Sequence, residues 1–273
     1  MEGRLVEVDG HKMNVYEEGA GEHTLLIMAG SGIVSPVYEY RTLYRRLSGE
    51  YRIVVVEKFG YGYSDIVDTD RSFDTILREC REALQKAGIS GPFILCPHSM
   101  SGVEALKWAQ EYPDEVEAII GLDMAVPESY DTIDERIARA QKMNKLAPLI
   151  RKLGLVRPPK TLTREERREY SALIRRDFCN ITIWNETLHV AEVRDEIRSR
   201  PKPSVPMLMF VSDGGGTGDS KEVWRGFAYS YAKGLENIRI IEVNADHALH
   251  NKEYVLMAEE MKMFIGNALR KGL

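Results

Sequence analysis

Six short apolar runs, at residues 24–28, 52–57, 93–96, 118–122, 207–211 and 238–243, are separated by stretches of helical periodicity, and this alternation narrows the fold more than any other feature. Most of each run is Leu, Ile, Val, Phe or Met with few polar interruptions, as expected for strands covered on both faces. Between them, helices are predicted at 40–47, 73–87, 102–111, 221–232 and 253–268. Strands and helices in alternation predict a three-layer α/β domain built on a mostly parallel sheet. Two further strands, 4–8 and 11–17, meet at Asp9-Gly10, a dipeptide that favours a hairpin, so an antiparallel pair is expected to open a sheet of about eight strands.

The alternation stops across residues 127–205. Helices are predicted there at 132–146, 163–178 and 187–198, with breaks at Pro158, Pro159, Pro201 and Pro203, and no run has the pattern of a strand. The expected organisation is a core formed by residues 1–126 and 206–273, with 127–205 as a helical cap or lid.

Composition excludes several function classes. No apolar run approaches the roughly 20 residues of a membrane span, so no membrane partner is expected. Residues 1–10 carry four charges and no apolar run, unlike a secretory leader, which points to the cytoplasm. A net charge of -5 argues against nucleic acid. The mixed run of Arg164, Arg167, Arg168, Arg175 and Arg176 with Glu165, Glu166 and Glu169 suits a solvated helix face. The three cysteines lack any C-x-x-C pair, so neither a disulfide framework nor a metal site is expected, and no organic cofactor is implied.

One segment carries chemistry. Pro97-His98-Ser99-Met100-Ser101-Gly102 lies at a predicted strand-to-helix junction, where Ser99 could cap the helix or present its hydroxyl as a nucleophile. It resembles the G-x-S-x-G nucleophile elbow of α/β-hydrolases in its longer form G-H-S-M-G-G, with Pro97 and Ser101 in place of two glycines. After the last predicted strand, Asp246-His247-Ala248-Leu249-His250 resembles the G-H-x-x-H loop of that superfamily. Ala29-Gly30-Ser31-Gly32 stands where its H-G-x motif falls, and Phe59-Gly60-Tyr61-Gly62-Tyr63-Ser64-Asp65 looks like its G-x-G-x-S turn. The four motifs occur in the superfamily's order, from about residue 24 onward.

The resemblance implies Ser99 as nucleophile, His247 as general base with His250 as its neighbour, and an oxyanion hole formed by the N–H groups of Ser31 and Met100. For the acid it leaves two positions in competition, of which Asp123 is the expected one and Asp213 the alternative. The position most often used, after the strand that follows the cap, reads Gly215, with Asp213 two residues early and Asp219 four residues late. Other members, including some haloalkane dehalogenases, place the acid after the strand following the nucleophile helix, where this chain has Asp123. Dehalogenase chemistry itself is not implied, because those enzymes have an aspartate where Ser99 stands. The expected activity is hydrolysis of a small ester or related acyl substrate through an acyl-enzyme. An aminopeptidase, an amidase, or a binding protein on the same scaffold are the alternatives. Tyr130, Met143, Leu146, Phe178, Ile183 and Trp184 are apolar enough to line a pocket in the cap, though at helical spacing such residues are more often the cap's own core; Trp184 and Met124 are the expected substrate contacts, and oligomeric state is not readable.

Overall fold

The computed structural model describes residues 2–269. One sheet contains eight strands: β1 (Arg4–Val8), β2 (His11–Glu18), β3 (Thr24–Met28), β4 (Arg52–Glu57), β5 (Phe93–Ser99), β6 (Val116–Met124), β7 (Met207–Val211) and β8 (Ile238–Glu242). Their spatial order is β1-β2-β4-β3-β5-β6-β7-β8. The β1–β2 and β2–β4 pairs are antiparallel and every other pair is parallel.

Period-2 alternation explains how one sheet serves two cores. Leu26, Val54, Leu95, Ile119 and Met209 enter one apolar cluster, while their neighbours Leu25, Val55, Ile94, Ile120 and Leu208 enter the other. A slip of one residue would exchange the two sets on a strand, and each misplaced side chain forfeits roughly 1.5–3 kcal/mol of burial. The edge strand β8 is covered less completely and carries Arg239 and Glu242.

Helices α1 (Pro36–Glu39), α2 (Arg41–Tyr44), α3 (Phe73–Lys86) and α4 (Ser101–Glu111) flank the first half of the sheet. Four more follow β6: α5 (Ile133–Leu153), α6 (Arg164–Asp177), α7 (Ile181–Leu188) and α8 (Val190–Ser199). The chain closes with α9 (Lys221–Ala232) and α10 (Tyr254–Ala268). Among the described residues no strand lies between β6 and β7. The helix expected at 40–47 is instead two short turns meeting at Tyr40, and that expected at 187–198 is a pair hinged at His189. Helix α5 continues to Leu153 through Pro148, further than the predicted end at 146.

Buried charge ties the inserted helices to the core. Lys58, just after β4, lies 2.8 Å from Glu104 of α4 and 2.7 Å from Glu186 of α7, and Glu186 also accepts the Tyr61 hydroxyl. All three charged groups are almost fully buried. Removing one partner would strand the others in an apolar interior, so such a cluster fixes which surfaces meet more than it adds net stability. Asn180 caps α7 and donates to the Gly60 carbonyl, which adds a second tie nearby.

Candidate functional site

Strand β5 ends at Ser99, which has φ +53° in the left-handed region. A non-glycine residue there costs roughly 1–2 kcal/mol, so its surroundings must hold it. Gly30 and Gly102 make the space. A Cβ at Gly30 would lie 2.5 Å from Ser99 Cβ, and one at Gly102 would lie 2.0 Å from the Ala125 carbonyl oxygen. Ser99 is thereby left partly exposed among buried neighbours. Gly102→Ala is expected to destabilise the protein by about 3 kcal/mol through overpacking, read from denaturant unfolding; an unchanged midpoint would contradict this close approach.

The two departures from the glycine pattern have physical reasons. Pro97 pairs with Met28 at the end of the parallel ladder, where a missing N–H costs little. The Ser101 hydroxyl donates to the Met28 carbonyl at 2.8 Å and accepts the His98 N–H at 2.9 Å. Serine here adds a fastening between β3 and the turn that glycine could not supply.

Asp123, near the end of β6, also has a left-handed backbone, φ +58°, and a fully buried side chain. Its Oδ1 accepts the Ser212 N–H at 2.7 Å and the Trp224 indole N–H at 2.8 Å, and its Oδ2 lies 2.5 Å from His247 Nδ1. Two N–H donors compensate the buried carboxylate, and the third contact aims the imidazole. Asp213 and Asp219 are engaged elsewhere: Asp213 Oδ1 accepts the Gly215 N–H at 2.9 Å, and Asp219 pairs with Arg136 at 2.5 Å. The glycine loop between them supports the histidine, since the His247 N–H donates to Gly215 O at 2.8 Å.

Behind His247 lies a buried polar chain. His98 Nε2 is 3.0 Å from the His247 carbonyl, and His98 Nδ1 is 2.9 Å from the Tyr40 hydroxyl. Burial, reinforced by His247 and His250, pushes the His98 imidazole well below its usual value, so it is neutral. Its Nε2–H must then donate to the carbonyl and its Nδ1 accept from Tyr40. The chain links Tyr40, between α1 and α2, to the loop bearing His247. His250 packs against His98 and Tyr40 and bonds Glu39, which also accepts from Tyr170 and Asn251. Burial alone would raise the Glu39 carboxyl; the bonds from His250, Tyr170 and Asn251 outweigh it and hold the group below the usual range.

The structure thus gathers Ser99, Met100, Asp123 and His247 with the loop of Ser31 at the C-terminal ends of the strands, where open α/β sheets build sites. Of the residues named for the cap and substrate, Met124 is buried in the core with Val211 and Trp224, Trp184 is partly exposed on α7, and Met143 and Leu146 face outward at 44% and 52% exposure. Tyr40, Ser212 and Trp224 were not singled out from sequence, because a buried hydroxyl or N–H donor carries no local signature. A cleft of about 1030 Å³ opens beside Phe93 at the other end of β5, and its Arg81 and Lys86 are paired with Glu115 and Glu82. Among the described residues one acidic cluster has metal-like spacing, Asp74, Glu111 and Glu196, and the Lys107 ammonium sits 2.7 Å from each.

No family model matches the chain. An esterase from Exiguobacterium antarcticum superposes with a TM-score of 0.71 at 19% identity, covering 98% of this chain and 100% of the esterase. A loop variant of haloalkane dehalogenase DbeA from Bradyrhizobium elkanii gives 0.71 at 17% identity, covering 97% and 96%. The chain has the fold of the α/β-hydrolases. Within it, the chain is of one family with the uncharacterized protein YbdG of Bacillus subtilis, to which it is 39% identical over 225 residues, 77% of this chain and 69% of that protein.

Proposed function

We propose that the protein is a serine hydrolase that cleaves a small ester or related acyl substrate through an acyl-enzyme. The observation that carries this reading is the left-handed Ser99 at the strand-helix turn, together with the 2.5 Å contact between Asp123 and His247. In the reaction His247 Nε2 takes the Ser99 proton as Oγ attacks the carbonyl carbon. The N–H groups of Ser31 and Met100 receive the developing oxyanion. Collapse of the tetrahedral species breaks the bond to the leaving group, which takes the proton from His247. Water, activated by the same imidazole, then releases the acid and restores Ser99. Asp123 steadies the imidazolium and fixes its tautomer.

Residues 127–205 act as the lid in this reading, with Trp184 on its substrate side. The test is a panel of p-nitrophenyl esters of increasing acyl length, run beside amides and aminoacyl anilides. Turnover of short esters is expected, and Trp184→Ala is expected to shift preference between acyl lengths by about tenfold, the scale of one or two methylenes in a hydrophobic pocket. Saturable binding without turnover of any member would overturn the hydrolase reading. Uniform loss across the panel in Trp184→Ala would remove that residue from substrate recognition.

A further inference from the structure

Residues 136–160 contain eight Lys or Arg and no Asp or Glu, in a protein whose net charge is -5. This segment is most of α5 and the loop after it. Only Ile133 and Ala147 of α5 are buried. Met143, Leu146, Leu149 and Leu153, with Leu155 just beyond, are 44% to 63% exposed. At 3.6 residues per turn the first four fall within an arc of about 120°; Lys145 and Lys152 run along one edge of it and Lys142 lies within it. Five large apolar side chains along one helix and its end form a continuous exposed stripe, which marks an interaction surface where single exposed leucines would not.

Charge selects the occupant. A symmetric contact with a second copy would bring two strongly basic segments together, which like-charge repulsion opposes. A polyanion such as nucleic acid would use the lysines and leave the leucines in water. An anionic lipid surface satisfies both, since apolar side chains enter the headgroup–acyl boundary while lysines meet the anionic headgroups. No helix among the described residues is long and apolar enough to cross a membrane, and a helix lying in the interface needs no such length.

We propose that α5 docks the protein reversibly on anionic lipid surfaces. Docking would orient the site as well. Arg136, in the first turn of α5, donates to Ser129 O and pairs with Asp219, at the end of the glycine loop that supports His247. The start of the helix that carries the stripe is therefore one ion pair from the loop beside the candidate base. The proposal stands on its own and does not depend on Ser99 being a nucleophile.

The test is co-sedimentation of the full chain with vesicles of phosphatidylcholine alone or mixed in equal parts with phosphatidylserine. Binding to the mixed vesicles is expected, weakening as salt rises. The triple variant Lys142→Gln, Lys145→Gln, Lys152→Gln should bind about 100-fold less well. A second triple variant, Leu146→Ser, Leu149→Ser, Leu153→Ser, should also lose binding while keeping the wild-type melting temperature. All the substituted side chains are exposed, so folding is not at stake. Failure to bind mixed vesicles, or binding unchanged in either variant, would overturn the proposal. So would self-association abolished by the leucine changes, or binding to duplex DNA that survives them while vesicle binding is absent.

Discussion

Asp123→Asn is expected to lower turnover by about 10⁴-fold with little loss of stability, the size of effect known for the equivalent change in serine proteases. The effect follows from the three contacts of this carboxylate. Oδ1 takes two N–H donors, from Ser212 and Trp224, so an asparagine will turn its carbonyl oxygen toward them. Its amide nitrogen then faces His247 Nδ1 and donates. The imidazole must accept at Nδ1 and carry its proton on Nε2, the tautomer that cannot take a proton from Ser99. Asp213→Asn should be mild, because that side chain only accepts a turn N–H from Gly215. Ester turnover of the two variants, measured beside their melting curves, checks the assignment. A large loss in Asp213→Asn with a small one in Asp123→Asn would reverse it.

Ser99 carries the larger effect. Ser99→Ala should lower turnover by about 10⁶-fold, since the remaining groups can only bind and polarise the substrate. Ser99→Gly should be equally inactive yet more stable than the wild type by about 1 kcal/mol, because glycine meets φ +53° without the penalty that serine bears. A gain in stability on deleting the proposed nucleophile is the mark of strain held for function. Parallel denaturation and ester assays on the two variants check both halves, and a destabilised Ser99→Gly would deny the strain.

The sheet was legible because its strands are buried on both faces and read as dense apolar runs such as Leu25, Leu26 and Ile27. Helix ends were less so. Nothing local told that the chain would pause at Tyr40 or His189, and α5 continues past Pro148, where proline chemistry alone suggests a stop. The serine and histidine were read from motifs, each confined to a few consecutive residues. The acid was read only as a preference for Asp123 over Asp213, because the meeting of Asp123 with His247 depends on β6 and β8 flanking β7, a matter of sheet order that no local spacing records. Nor could composition show that Met143 and Leu146 face outward, since an apolar residue at helical spacing reads the same whether its partner is the core or a surface outside the chain.

The account turns on Ser99 as nucleophile, and covalent labelling addresses that most directly. The folded protein is treated with a fluorophosphonate and the adduct is located by peptide mass spectrometry. One adduct is predicted, on Ser99, absent from Ser99→Ala and slowed in Asp123→Asn. An adduct on Ser101, or no adduct on folded protein that binds the ester substrates, would contradict it.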